Sequence, residues 1–345
     1  MIDTWAVVVP SFNHADDVIT CLGALWNADP RPGTVILVDD ASTDDAVSRI
    51  AAWAERSGID HQVVPAHALQ EYPPSRRWLT IAAARANAGF VRSCNIGLAY
   101  IRDFTKAPFV LLLNNDTEIT PRYFAELAKA IDRIPDSVGL LSGSIYEWDR
   151  STVWYGGASF NPIRALATHN TRLPASDLPS ETGYVCGCTM LISRAVLEKV
   201  GLLAECFEPA YVEDVDYSLR ARAAGFPVMI APRALCYHRV GSSLGRAKQS
   251  SRTVFSVNRN RAFALRRNYS GWRRAAGIAY LGATKPGRAL LELAKGRPRA
   301  AWAVLSGMLV GVFSSAASDK KPLGLRDFSC LALLLAFRMS RFGFS

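Results

Sequence analysis

The sequence predicts an α/β fold, a mainly parallel sheet flanked by helices, followed by a helical and strongly basic extension. Three observations predict it. Short apolar runs of strand length alternate with segments of helical periodicity. Polar clusters follow several of those runs, and beyond His238 the alternation gives way to longer helical stretches with clustered arginines. With 345 residues, 50% hydrophobic and 20% charged, the chain can bury a large core; that balance excludes a disordered tail and a polytopic membrane protein.

Trp5-Ala-Val-Val-Val9 has the length and β-branched content of a buried strand, and Thr34-Val-Ile-Leu-Val38 repeats it. Between them Val18, Ile19, Leu22 and Leu25 recur at helical steps from Asp16 to Ala28. Ser42 or Asp44 can cap a helix through Val47, Ile50 and Trp53. His61 to Val64 reads as a third strand, Gln70 to Leu79 as an inserted surface loop, Ile96 to Phe104 as a helix and Phe109 to Leu113 as a fourth strand. Further on, the pattern predicts a helix from Pro121 to Arg133, strands over 138–145 and 185–193, a helix over 215–224, a short strand over 227–231 and another over 232–236 that places His238 just after a strand. Helices are expected over 256–267, 287–295 and 298–313, with a domain boundary near residue 245: 1–245 catalytic, 246–345 a helical, basic extension.

In open α/β sheets, ligands collect at the carboxyl ends of the strands. Those ends are polar here: Pro10-Ser11-Phe12-Asn13, then Asp39-Asp40-Ala41-Ser42, then Asn114-Asn115-Asp116-Thr117. Carboxylates gathered at one edge repel unless a cation or hydrogen-bond donors offset them. Mg²⁺ or Mn²⁺, held by one or two protein groups and by phosphate oxygens, suits that edge. Asp44 and Asp45 are equally well explained as helix-capping acids, and a nucleotidyltransferase would need a glycine-rich phosphate loop that Pro10-Ser-Phe-Asn13 does not supply.

In this order the segments resemble a family 2 glycosyltransferase with the GT-A fold, over roughly residues 5 to 245, and within it the bacterial rhamnosyltransferase-like enzymes. The resemblance implies that Pro10, Ser11 and Asn13 form the first nucleotide-binding signature, with Asp39 on the base or ribose and Asp40 beside it. It places Arg85, Asn87, Gly89, Phe90 and Asn95 along the nucleotide pocket. Asn115-Asp116-Thr117 stands at the Asp-X-Asp position but keeps only one carboxylate, so Asp116 is the implied metal ligand, Asn115 its support and His238 a partner on the metal. Glu118 points to the other side of a strand from Thr117. Glu213-Asp214 resembles the acceptor-side acidic pair, with Asp214 as catalytic base, while Gly187 lies in a loop shaping the sugar pocket and Trp154 to Gly157 lie nearby. His238 is followed by Gly241-Ser-Ser-Leu-Gly245, which completes the match. His14, His61, His67 and His169 have no such context.

The resemblance implies an inverting transfer from a nucleotide-diphosphate sugar, dTDP-rhamnose first, with galactofuranosyl and other hexosyl donors open. The acceptor it implies is a saccharide, free or carried on a polyprenyl chain. A nucleotide-sugar-binding protein without turnover is the other reading. The charge is divided: the chain to His238 carries a net −7 and the remainder +17, out of +10 overall. Arg259, Arg261, Arg266, Arg267, Arg273 and Arg274 beside Phe263, Leu265, Tyr269 and Trp272 suit an anionic membrane surface. Nucleic acid is not expected, since no binding motif accompanies the charge. Ala300 to Ala317 is uncharged and borderline in length for a span; a helix lying in the interface or packed on the catalytic domain is the expectation, and Leu331 to Phe337 is too short to cross. Seven scattered cysteines without a leader in the first thirty residues fit reduced thiols in the cytoplasm, with the protein peripheral on the inner face of the membrane.

Overall fold

The structure, a computed structural model, describes residues 5–72, 77–134, 138–239 and 250–315. The loop Gly241 to Gly245, the boundary at 245, Cys330 and the run Leu331 to Phe337 lie outside the described residues.

In chain order the elements are β1 (Trp5–Ser11), α1 (Ala15–Trp26), β2 (Thr34–Asp39), α2 (Ala46–Arg56), β3 (His61–Pro65), a 3-10 segment (Ala66–Glu71), β4 (Leu79–Ala83), α3 (Phe90–Phe104), β5 (Phe109–Leu113) and β6 (Thr117–Ile119). There follow α4 (Tyr123–Ile131), β7 (Leu140–Glu147), β8 (Val153–Tyr155), β9 (Ala158–Asn161), β10 (Leu166–His169), β11 (Ser180–Glu181), β12 (Thr189–Ser193), α5 (Arg194–Lys199), α6 (Glu213–Ala223) and β13 (Val228–His238). The described chain ends in α7 (Ser251–Asn268), α8 (Gly271–Ala294) and α9 (Pro298–Phe313). Two compact units result, each with its own packing. The first comprises Met1–Ser159, Thr168–Leu203 and Tyr217–Ser242; the second takes Phe160–Ala167, Ala204–Asp216 and the chain from Ser243.

The first unit is built on a sheet of order β11-β13-β7-β12-β5-β1-β2-β4-β3, with β6 on β13 and β8 on β7. β1 is parallel to β2 and β5, and β2 and β3 are parallel to β4, whereas β12 is antiparallel to both of its neighbours. The continuous Val run of β1 is fully buried because strands flank it on both sides and helices cover its faces. Pro10 ends that run without harm: pairing with β5 stops at Val8, two residues earlier. α3 approaches β1 so closely that a Cβ on Gly97 would lie 2.4 Å from the Val8 side chain. This gives Gly97, two residues after Asn95, a packing reason.

Several expectations are corrected. The inserted loop ends at Trp78, one residue earlier than expected, because Trp78 bonds back to Asp60 and Leu79–Ala83 is an interior strand between β2 and β3. α3 begins at Phe90 rather than Ile96, since the Asp40 carboxylate gathers the amides that precede it. The strands expected over 227–231 and 232–236 are one strand that reaches His238 itself, joined through a register shift between Ala231 and Leu235 that absorbs Pro232. α8 begins at Gly271 instead of 287 and runs through Pro286; Gly282 and Pro286 are both exposed, so the carbonyl deprived of its partner meets water.

In the second unit, α9 packs on α7 through small residues one turn apart. A Cβ on Gly307 would meet the Phe255 carbonyl at 2.5 Å, and one on Gly311 the Arg259 carbonyl at 2.5 Å. The uncharged stretch from Ala300 to Phe313 is thus a helix packed on α7, and no described helix is long and apolar enough to cross a membrane. Four of the six arginines assigned to a membrane surface are fasteners instead. Arg259 bonds to the Glu208 carbonyl, Arg261 to the Ala165 and Arg164 carbonyls, Arg266 to the Gly311 and Ser314 carbonyls, and Arg267 to Asp216. Carbonyls at loop and helix ends need donors, and a guanidinium reaches several at once. Only Arg273 and Arg274 of the six stand exposed.

Candidate active site

Register alone brings three signatures into a row at the carboxyl edge of the first unit. Ser11 is paired with Asp39, and Asp39 with Ala83, at the ends of β1, β2 and β4. The loops beyond are held by one another. Ser42 donates its backbone N–H to Asp39 Oδ2 at 3.0 Å and its hydroxyl to Oδ1, and the Ser42 hydroxyl accepts the Asn13 N–H at 2.7 Å. Asn13 Oδ1 in turn accepts the Thr43 N–H at 2.8 Å. Asn13, His14 and Ala41 are held at positive φ, a conformation that needs such anchoring away from glycine.

Asp40 does not face the same way. Its two oxygens accept the N–H groups of Ala88 and Gly89 at 2.7 and 2.8 Å, while Asn87 Nδ2 donates to its carbonyl at 3.1 Å. It therefore fixes the loop that carries Arg85 and Asn87, both exposed, ahead of Phe90. Asn95 is likewise a fastener: its amide donates to the Leu203 carbonyl at 2.9 Å and accepts the Leu203 N–H at 3.0 Å. Asp44 accepts the N–H groups of His14 and Ala46, each at 3.1 Å, in keeping with its reading as a capping acid.

The turn after β5 carries Asn115 and Asp116. Thr117 closes it with a hydroxyl bond to the Asn114 carbonyl at 2.6 Å, and the Asn114 N–H donates to the Cys188 carbonyl, which sets buried Gly187 beside it. β6 then runs antiparallel to β13, with Thr117 opposite His238, and the Arg239 N–H donates to the Asp116 carbonyl at 2.9 Å. That pairing carries His238 across the sequence to Asp116. His238 Nε2 lies 3.1 Å from Asp116 Oδ1, and the two residues are 2% and 7% exposed. Neither imidazole nitrogen makes a hydrogen bond among the described residues. Glu118 points the other way and is held by Arg150 at 2.9 Å, as strand alternation requires.

Two buried ligand types this close, with the imidazole lacking hydrogen bonds, fit the shared coordination of one divalent ion. No group of three His, Cys, Asp or Glu side chains suited to a metal occurs among the described residues. The remaining positions of such an ion would fall to substrate oxygens and water, the usual arrangement for Mg²⁺ with a diphosphate. The neighbouring thiols are inert: burial pushes Cys21 up to about 12 and Cys188 well above its ordinary range.

The carboxylates of α6 belong to the second unit. Glu213 is buried and pushed up to about 8, chiefly by desolvation and then by the charge of Asp214. Asp214 Oδ1 accepts the Val215 N–H at 2.8 Å in the first turn, where the helix dipole favours negative charge. The preceding backbone is strained, with Tyr211 at φ 82° and Val212 at φ 72°. Asn260 of α7 holds it: its fully buried amide donates to the carbonyls of Phe207, Ala210 and Tyr211 at 3.0, 3.0 and 2.8 Å.

Residues 3–256 match the family described as glycosyltransferase like family 2. The chain belongs to that family. Among the curated relatives of this glycosyltransferase is the N-acetylglucosaminyl-diphospho-decaprenol L-rhamnosyltransferase of Mycobacterium tuberculosis, 26% identical over 80% of this chain and 88% of that protein. A mannosyltransferase of Pyrobaculum calidifontis, solved with GDP-Man and Mn²⁺, is 16% identical at a TM-score of 0.53 and is covered over 92% of this chain and 88% of its own. GalNAc-T7, solved with UDP, GalNAc and Mn²⁺, is 12% identical at a TM-score of 0.59 over 82% of this chain, which spans half of that protein's length. The fold of this glycosyltransferase is GT-A.

Sequence reasoning missed His169. Its ring lies 4.5 Å from that of Trp154, which in turn meets the His238 ring at 4.9 Å. Burial is the main cause that lowers the His169 imidazole to about 4, so it is neutral at pH 7. With Gly156, Gly157, Asn170, Arg172 and Thr182 it lines a cleft of about 630 Å³. The only signal was the aromatic cluster around it, because β8 and β10 carry too few residues to show a period.

Proposed function

We propose that this glycosyltransferase moves a sugar, with inversion, from a nucleotide-diphosphate donor to a saccharide carried on a polyprenyl diphosphate, in the synthesis of a cell-envelope polysaccharide. The Asp116–His238 contact carries the reading. A buried carboxylate and imidazole 3.1 Å apart at the sheet's carboxyl edge suit a cation shared with a diphosphate. That the mannosyltransferase and GalNAc-T7 were solved with Mn²⁺ supports a divalent ion, Mg²⁺ or Mn²⁺. Rhamnose as the sugar moved and a lipid-linked acceptor are supported by the name of the mycobacterial relative, and dTDP-rhamnose is the donor that the family resemblance implies.

In this reading Pro10, Ser11, Asn13 and Asp39 receive the nucleotide, with Arg85 and Phe90 closing its pocket and Asp40, Asn87, Gly89 and Asn95 fixing the loops. Asn115 and Gly187 border the diphosphate and sugar. Asp214 takes the proton from the acceptor hydroxyl as that oxygen bonds to the anomeric carbon and the nucleotide diphosphate leaves from the opposite face. Glu213, protonated at neutral pH, donates a hydrogen bond to the acceptor. A divalent ion held by Asp116 and His238 would neutralise the charge that grows on the leaving diphosphate.

The protein works on the cytoplasmic side of the membrane. Trp272, Leu290, Leu291 and Leu293 of α8 are each more than half exposed, and Arg273, Arg274, Arg288 and Lys295 stand on the same helix or at its end. Apolar side chains among cations complement an anionic bilayer surface.

The test is Asp214→Asn. It should bind the sugar nucleotide as the wild type does and lose transfer by about a hundredfold or more, the scale of general-base catalysis. Unchanged transfer would remove Asp214 as base, and wild-type protein without transfer to any lipid-linked saccharide would favour a nucleotide-sugar-binding role.

A further inference from the structure

α7, α8 and α9 border an open-mouthed cavity of about 430 Å³ that no step of the transfer uses. Arg261, Lys285, Arg288 and Arg297 line it, with Glu292 as the one acidic residue of the lining. Glu292 is 4% exposed and pairs with Arg288 at 2.9 Å and Arg297 at 3.4 Å. Arg261 is held by carbonyls, at 2.5 Å from that of Ala165 and 2.8 Å from that of Arg164, which orient it without cancelling its charge. Four cations thus face one carboxylate.

Lys285 is the telling member. It falls in the buried seam of α8, between Leu281 and Ala289, and is 8% exposed. It makes neither a hydrogen bond nor an ion pair with any described residue, and Arg261 and Arg288 are close enough to repel it. Burial, then those two charges, lower it to about 8. A leucine or methionine would suit such a seam better if packing were its only purpose, because a buried ammonium without an anion is costly. The first turn of α9 adds to the positive field: Pro298 occupies its start and Ala300 lines the cavity, so the helix dipole is directed there.

We propose that this cavity binds a phosphate group, as a mono- or diphosphate ester, through Lys285 and the arginines around it. The exposed Leu290, Leu291 and Leu293 lie on the same turns of α8 as Arg288 and Glu292, which suits a phosphate borne on a lipid; a free phosphate compound shares the headgroup chemistry. The proposal concerns the second unit alone. Neither the donor nor Asp214 enters it, so its failure and that of the transfer reading are separately visible.

The experiment compares the full chain with Lys285→Met, which keeps the side chain's length and removes its charge, in buffer with chelator. One arm measures Tm with and without inorganic diphosphate. The other measures binding to phosphatidylcholine vesicles with and without phosphatidic acid. Without anion, Lys285→Met should be folded and at least as stable as the wild type, since a repelled charge is gone. Diphosphate should raise the Tm of the wild type and not that of the variant. Affinity for phosphatidic acid vesicles should fall about tenfold in the variant, the loss of one charge-assisted contact. A defect confined to the vesicle arm identifies a lipid headgroup, and one confined to the diphosphate arm a soluble phosphate ligand. Equal behaviour of the two proteins in both arms overturns the proposal, as does a variant that is less stable than the wild type in the absence of anion.

Discussion

Asn260→Ala should damage the enzyme in a way that the structure lets one size. The Asn260 amide is fully buried, donates to three carbonyls of the segment before Glu213 and accepts the Arg259 Nε–H at 2.8 Å. Alanine leaves at least one buried carbonyl and the Arg259 donor without a partner, each costing about 1–3 kcal/mol, so a total near 3 kcal/mol is expected. That is a large part of the 5–15 kcal/mol that typically holds a domain together. The loss should also release the positive φ at Tyr211 and Val212, a strain of about 1–3 kcal/mol per residue that persists only while its surroundings impose it. Glu213 and Asp214 follow directly in the chain. Urea unfolding should therefore show the destabilisation, and transfer assays at a temperature where the variant remains folded should show kcat falling more than KM for the donor rises. A loss of stability under about 1 kcal/mol, or full kcat in the folded variant, would refute the reasoning.

Glu213 makes stability depend on pH. Its carboxyl moves from an ordinary 4.5 to about 8 on folding, so between those values the unfolded chain releases a proton that the folded one keeps. Stability from this group is complete below pH 4.5 and is lost as pH rises towards 8. Glu213→Gln should flatten that slope in denaturant titrations across this window; an unchanged slope would show that Glu213 is not desolvated. Gly307→Ala and Gly282→Ala should differ in sign, read from Tm. A Cβ at Gly282 meets nothing within 4 Å and gains helix propensity of about 1 kcal/mol, whereas at Gly307 it would lie 2.5 Å from the Phe255 carbonyl, an overpacking that costs about 1–3 kcal/mol. Equal shifts would contradict the close approach of α9 to α7.

The strands that bear the site were legible because buried parallel strands write themselves as continuous apolar runs: β1, β2 and β5 could be read directly from Val and Leu. β4 was hidden because Leu-Thr-Ile-Ala-Ala is short and follows a Pro- and Arg-rich stretch. α8 was half hidden by Pro286, whose tolerance depends on the exposure of that side of the helix. Asp116 and His238 were legible as candidates from their places after strands, but their contact was not. It is created by β6, three residues long, and by a strand that continues through a bulge. The fasteners were the least legible. Asp40, Asn95, Asn260 and Arg259 spend their polar groups on backbone far away in sequence, and nothing local separates such a side chain from one that meets a ligand. The basic tail shows the same limit, since the charges of Arg261 and Arg266 suggested a surface and their partners turned out to be carbonyls.

The central claim, that Asp116 and His238 together hold a divalent ion for the donor's diphosphate, is tested most directly by calorimetric titration of dTDP and UDP. Wild type, Asp116→Asn and His238→Ala would each be titrated with Mn²⁺ and again with chelator. The account predicts that Mn²⁺ tightens nucleotide binding to the wild type by about tenfold or more, at about 1.4 kcal/mol per decade, and that both variants lose this gain while keeping the metal-free affinity. Equal tightening in either variant, or none in the wild type, would contradict it.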